Sequence, residues 1–105
     1  MATPTKKIIR GRPVGTKSAD PTIAKAFGKA VVSLRTARGL SQEAVGLGAS
    51  IGRSNMSAIE NGRSVPNLVG VVKIAASLGC SLPILAREFE RAHKELVERA
   101  DSANA

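Results

Sequence analysis

The sequence predicts an all-α protein: a compact domain of five helices, the last of them extended, with no strand. Three observations carry that prediction. Apolar residues recur at steps of three and four between Thr22 and Arg99, which is the period of one buried helix face rather than the alternation of a strand. Capping residues (Thr22, Ser41, Ser81) and glycines (Gly39, Gly62, Gly79) bracket the periodic segments, as helix starts and stops require. The chain has 105 residues, enough for one small domain with a modest core.

Residues 1–20 lack periodicity and carry Pro4, Gly11, Pro13 and Gly15, so they read as a flexible basic arm ahead of the domain. Thr22 is the expected N-cap of a first helix over 23–38, in which Phe27, Val31 and Leu34 form the buried stripe. Ser41 caps a short second helix over about 42–47. A third helix, about 53–61, follows a glycine-rich stretch and is closed by Gly62, which can take the left-handed C′ conformation. Pro66 and Asn67 open a fourth helix whose apolar face is read as Leu68, Val71, Val72, Ala75 and Leu78. Ser81 caps the fifth, with Pro83 in its first turn, where a missing N–H costs little. That helix is expected to run to about Arg99, and Leu82, Leu85, Phe89, Ala92 and Leu96 make a short heptad-like seam along it. The organisation is therefore an arm over 1–20, a domain over 21–86 and a helical extension with a frayed end over 87–105.

Charge narrows the partners. The formal net charge is +8, and its excess lies on the arm and the central domain, while acids and bases nearly balance from Arg87 onward. Such a surface favours a polyanion by attraction and counterion release. Phe27 and Phe89 are the only aromatic residues, which argues against base-stacking platforms for single strands or RNA loops. Cys80 is the only cysteine, so no internal disulfide can form, consistent with a reducing compartment. No apolar run is long enough for a membrane span and no charged-then-apolar leader opens the chain, so a cytoplasmic, nucleoid-associated protein is expected and no membrane partner.

The informative stretch is "SQEAVGLGASIGRSNMSAIENG", from Ser41 to Gly62. Two short helices joined by a tight turn, each with a few apolar residues, make the helix-turn-helix pattern. Val45, Ala49, Ile51, Met56 and Ile59 can face one core. Ser41, Gln42, Arg53, Ser54, Asn55, Ser57 and Ala58 are left pointing outward, a small, polar and cationic surface suited to a major groove.

At this point the sequence resembles the lambda-repressor-like, Xre-type helix-turn-helix family of bacterial and phage regulators. The resemblance covers roughly Phe27 to Leu85, through "FGKAVVSLRTARGLSQE" and "SAIENGRSVPNLVGVVKIAASLG". It implies a lambda-repressor-like DNA-binding domain that binds a double-stranded operator. By that resemblance Gln42, with Ser41 beside it, falls at a phosphate or groove-edge position. Arg53, Ser54, Asn55 and Ala58 fall at base-facing positions of the recognition helix, with Ser57 next to them. Asn61 and Arg63 fall in the loop that grips phosphate, and Arg35 and Glu60 match a structural ion pair between the first and third helices. Side-chain chemistry agrees: Arg53 can donate a bidentate pair to guanine, Asn55 can pair with adenine, and Ala58 can touch only a thymine methyl. Arg63 would position rather than specify. The chain departs from the family at Gly46, where alanine is usual, at Ser50, where glycine is usual, and at Gly52, where a serine-like cap is usual. These departures predict a softer helix-turn-helix unit.

In the arm, "RGRP" (Arg10, Gly11, Arg12, Pro13) resembles the core of an AT-hook, although Val14 replaces the basic residue that often follows. Narrow A·T minor grooves attract arginine, so the arm is read as a minor-groove hook, a phosphate contact, or a segment with no DNA role.

His93 is read as a solvated side chain and Cys80 as a small core filler. No nucleophile–base grouping, phosphate loop or metal-ligand cluster is evident, so neither catalysis nor a metal, cofactor or small-molecule effector is expected. Phe89, Ala92 and Leu96 extend beyond the core that so small a domain needs, and are read as a homodimer interface. Two recognition helices would then sit about one DNA turn (~34 Å) apart on an inverted repeat. The leading expectation is a dimeric, sequence-specific transcriptional regulator acting as a repressor. The alternatives are an antitoxin-like or adaptor module with secondary DNA contact, and a low-specificity nucleoid binder.

Overall fold

The computed structural model describes residues 20–104, with side chains as far as Ser102. Arg10, Gly11, Arg12 and Pro13, expected to contact DNA, lie outside the described residues, as does the rest of the arm before Asp20. Five helices follow in order: α1 (Pro21–Ala37), α2 (Gln42–Gly48), α3 (Arg53–Glu60), α4 (Leu68–Leu78) and α5 (Leu82–Asn104). No strand occurs among the described residues.

The start of α1 differs from the expected one. Asp20, not Thr22, is the N-cap: its Oδ1 accepts from the Thr22 N–H at 2.8 Å and the Ile23 N–H at 3.2 Å. Pro21 then fits at the first helical position, where no donor is needed. Ser41 caps α2 as expected, accepting from the Ala44 N–H, and Asn67, expected with Pro66 only to open α4, caps it by accepting from the Gly70 N–H.

The helices α1 to α4 end alike. After each, a residue in the left-handed region turns the chain back, and two backbone N–H groups return to carbonyls of the last turn, as a Schellman motif requires. In α3, for example, Gly62 N donates to Ile59 O at 3.2 Å and Arg63 N to Ala58 O at 2.8 Å. The turning residue is Gly39, Gly62 or Gly79 in three cases, with φ of 68°, 75° and 76°; after α2 it is Ser50, at φ 58°.

The core collects Phe27, Val31, Leu34, Val45, Met56, Ile59, Ile74, Leu78 and Leu85, all buried. Each such side chain contributes roughly 1.5–3 kcal/mol by leaving water. The face of α4 corrects the expected one: Ile74, Ala75 and Leu78 are buried, whereas Leu68 and Val72 are exposed. In a helix reading LVGVVKIAASL nearly every position is apolar, so periodicity alone does not choose the inward side.

The seam of α5 is also reassigned. Ala92, expected between subunits, is buried within its own chain, where α5 packs chiefly on α1. Phe89 is half-buried against the core and lies 6.5 Å from Phe27, ring centre to ring centre. His93 is not simply solvated; its ring stacks on Phe89 at 5.7 Å. A polar contact ties the same two helices, since Ser33 Oγ donates to Glu88 Oε2 at 2.9 Å, and Arg91 donates to the same carboxylate. Those bonds, led by that from Arg91, hold the Glu88 carboxyl below its ordinary range against the opposing effect of burial.

Candidate nucleic-acid interface

Two short helices make the candidate interface, and a third sets their angle. α3 is fixed from beneath by Met56 and Ile59, which are 1% and 3% exposed. Of its other side chains, Glu60 turns inward to Arg35, while Arg53, Ser54 and Asn55 are exposed and Ser57 and Ala58 are half-buried. The sequence placed all five outward, so the structure moves the last two to the edge of the exposed face. An open groove of about 450 Å³ separates α2 from α3, lined among others by Ser41, Glu43, Leu47, Ile51 and Arg53.

The helix-turn-helix corner is close-packed. Gly46 lies in α2, and a Cβ there would meet Ile51 O at 2.9 Å and Met56 Cγ at 3.4 Å. The same peptide unit takes part in the turn, because Gly46 O accepts from Ile51 N at 2.8 Å. Gly46 therefore lets the chain fold back on α2, at a cost in helix propensity of about 1 kcal/mol relative to alanine. Gly52 is the N-cap of α3 and makes no side-chain capping bond.

Beneath the interface lies a half-buried polar cluster. Arg35 Nε donates to Glu60 Oε2 at 2.8 Å, and Arg35 Nη2 to Glu60 Oε1 at 2.9 Å, forming the bidentate fork favoured by arginine and carboxylate. Arg35 Nη1 donates to Leu40 O at 3.0 Å, so the same guanidinium also holds the loop before α2. The Glu60 hydrogen bonds and then its charge raise the Arg35 pKa above its ordinary value, outweighing the opposing effect of burial. The expected Arg35–Glu60 ion pair is thus present. Close by, Gly28 allows α1 to touch the end of α3, since a Cβ there would stand 2.6 Å from both Ile59 O and Glu60 O.

The expected phosphate contacts are partly engaged inside the chain. Gln42 Nε2 donates to Glu60 Oε1 at 2.9 Å, which leaves its second amide proton and its carbonyl oxygen for other partners. Ser41 Oγ accepts the Ala44 N–H at 3.0 Å in its capping role, with its hydroxyl proton still able to donate. Asn61 Nδ2 donates to Ser57 Oγ at 3.3 Å. Arg63 is exposed on the loop after α3. One residue of the groove was missed in the sequence. Glu43, in the first turn of α2, accepts from Arg53 Nη2 at 2.6 Å.

Among the described residues no cluster of three or more histidine, cysteine or acidic side chains could hold a metal ion. No single described helix is long and apolar enough to cross a membrane.

A family model described as Helix-turn-helix matches residues 31–85, slightly more than half of the chain and including α2 and α3 entire. No curated protein matches the chain. Among solved structures, the chain is similar to the restriction-modification controller protein C.AhdI from Aeromonas hydrophila, at 34% identity and a TM-score of 0.56, over 59% of this chain and 94% of that one. It is also similar to the clp gene regulator ClgR from Corynebacterium glutamicum. One structure of that protein matches at 20% identity and a TM-score of 0.72, over 78% of this chain and 87% of that one. A second matches at 20% identity and a TM-score of 0.64, over 70% and 95%. At that identity the likeness to ClgR is one of fold.

Proposed function

Because the chain belongs to the lambda-repressor-like helix-turn-helix family, we propose that it is a transcriptional regulator that reads double-stranded DNA through α3. The observation that carries this reading is the two-sided character of α3. Met56 and Ile59 lock one side into the core, and the other presents Arg53, Ser54 and Asn55 to solvent. A helix so anchored offers a fixed row of donors to a major groove. Arg53 suits guanine O6 and N7, Asn55 suits adenine N6 and N7, and the half-buried Ser57 and Ala58 suit contacts at the margin. Ser41, Gln42, Asn61 and Arg63 flank the row and are assigned to phosphate contact, which fixes register rather than sequence.

The operator in this reading is an inverted repeat bound by a homodimer. An apolar cleft supports the second copy. It lies between α1, α4 and α5, is lined by Ile23, Phe27, Val65, Val71, Leu82 and Phe89, and measures about 240 Å³. Leu68 and Val72 extend the apolar surface along α4, 72% and 47% exposed. Phe89 keeps its proposed place in the dimer as part of this cleft. Leu96 is assigned to the margin, and Ala92 is replaced by these exposed neighbours. The basic arm, with Arg10 and Arg12, adds minor-groove or phosphate contacts, and the bound dimer represses by occupying its site. Restriction-modification control is the role named for C.AhdI, and control of a neighbouring operon is the corresponding role proposed for this chain.

Selection of binding sites from random duplex DNA tests the reading. The expected product is a discrete inverted repeat. Arg53→Ala is expected to weaken binding to it by about 1–3 kcal/mol and to relax preference at one position per half-site. Failure to enrich any site at roughly physiological salt would overturn the assignment of α3, because non-specific binding alone survives without base contacts.

A further inference from the structure

α3 opens without a side-chain cap on Gly52, and its first side chain is held from across the groove. Arg53 Nη2 donates to Glu43 Oε2 at 2.6 Å, with the two side chains 78% and 70% exposed. In α1 to α4 the only other acidic residue is Glu60, whose side chain is 4% exposed and locked to Arg35. The one solvent-facing carboxylate of these four helices therefore stands at the mouth of the α2–α3 groove, beside the first residue of the recognition helix. Its place in the first turn of α2 gives a modest helix-dipole contribution, and an exposed pair of this kind adds little more to stability. For a surface that approaches phosphates it is also a handicap, because it repels DNA and cancels one cation.

We propose that Glu43 is a positioning residue that sets DNA selectivity by holding and neutralising Arg53; the proposal rests on the reading of α3 as the recognition helix. The chemistry separates two kinds of DNA contact. A phosphate attracts Arg53 through charge, and Glu43 removes most of that attraction. A guanine edge presents two acceptors, and a guanidinium has five N–H donors, so one can remain on Glu43 while two others meet O6 and N7. The pair thus lowers affinity for random sequence more than for a site with guanine in register. Selectivity is a difference between two affinities, and weakening the wrong complex raises it as surely as strengthening the right one.

Glu43→Gln tests this, because it keeps size and a carbonyl acceptor while removing the charge on an exposed side chain. Binding of the full chain to its selected operator and to a random duplex of equal length is measured across a salt series, with the wild type, E43Q, R53A and the double variant. For E43Q on random DNA, the expected change is a gain of roughly three- to eightfold per bound subunit near 0.1 M salt, with the log–log salt slope steeper by about 0.9 per subunit. Operator affinity gains less, so the operator-to-random ratio falls. In the R53A background, E43Q leaves that ratio unchanged. Equal gains on both duplexes with Arg53 present would show simple repulsion by Glu43 and overturn the proposal. Loss of preference in E43Q at a base pair that R53A does not affect would make Glu43 a base reader and overturn it too. If the wild type bound neither duplex, the assignment of α3 would fall and the proposal with it; operator binding with an unchanged ratio in E43Q sinks only the proposal.

Discussion

Arg35–Glu60 and Arg53–Glu43 join the same two residue types at 2.8 and 2.6 Å, but in opposite surroundings. The first pair lies between α1 and α3 with its side chains 17% and 4% exposed; the second spans the open groove at 78% and 70%. In the half-buried setting water replaces neither partner easily, and the fork also holds Leu40 and Gln42. In the wet setting water or DNA can replace either partner at small cost. The same chemistry therefore serves as a fixed joint on one side of α3 and as an exchangeable contact on the other. The comparison extends to the backbone. At the α1–α3 junction Gly28 lets one helix press on the backbone of the other, whereas the α2–α3 corner contains the one left-handed non-glycine residue among those described, Ser50, and a helix start without a side-chain cap.

The strongest way to break the contrast is Glu60→Ala. It leaves the half-buried Arg35 guanidinium without its carboxylate and removes the acceptor for Gln42 Nε2. A loss of about 1.5–3 kcal/mol is expected, the usual contribution of hydrogen bonds to charged groups, because Arg35 keeps some contact with water. Urea unfolding monitored by circular dichroism measures it. A loss below 1 kcal/mol would mean that the joint is no more essential than the exposed pair.

Gly28→Ala probes the same junction through packing alone. The added methyl would stand 2.6 Å from the Ile59 and Glu60 carbonyl oxygens, and these are backbone atoms of α3 that cannot rotate away. The helices must separate, at a cost of about 1–3 kcal/mol, even though alanine is the better helix former by about 1 kcal/mol. Net destabilisation in thermal unfolding is the expected sign; stabilisation would show that α1 can shift without disturbing α3.

This residue also illustrates what the sequence made legible. Helix order, the cap at Ser41, the Arg35–Glu60 pair and the turn at Gly62 were all readable, because each depends on residues close in sequence or on a spacing that the family resemblance supplies. Gly28 was not, since nothing nearby in sequence shows that α3 backbone will press on it. Glu43 was missed for the same reason: its partner lies ten residues on, across a turn whose geometry decides the contact. The seam of α5 was legible as a seam, but a stripe of apolar residues does not name the helix that covers it. α1 reached Ala92 before any second copy could. In α4 the failure was of contrast, as Leu68, Val72 and Ile74 are equally apolar and only tertiary packing separated them.

The smallest effect expected has the opposite sign and lies at the soft corner. Ser50 occupies the position after α2 that Gly39, Gly62 and Gly79 occupy after α1, α3 and α4, and its backbone makes the same returning bonds, Ser50 N to Leu47 O at 3.2 Å and Ile51 N to Gly46 O at 2.8 Å. The motif needs the left-handed conformation whichever residue holds it, and a side chain makes that conformation costlier by roughly 1–2 kcal/mol. Ser50→Gly relieves this cost but adds freedom to the unfolded chain, which returns about 0.4–1 kcal/mol. A net gain of about 0.5–1 kcal/mol follows, or a melting temperature higher by roughly 2–8 °C for a domain of this size. No described side-chain hydrogen bond involves the Ser50 hydroxyl, so none is lost. If the melting temperature fell instead, the corner would owe its shape to the serine rather than merely tolerating it, and Ser50 would be no strained exception among the four helix ends.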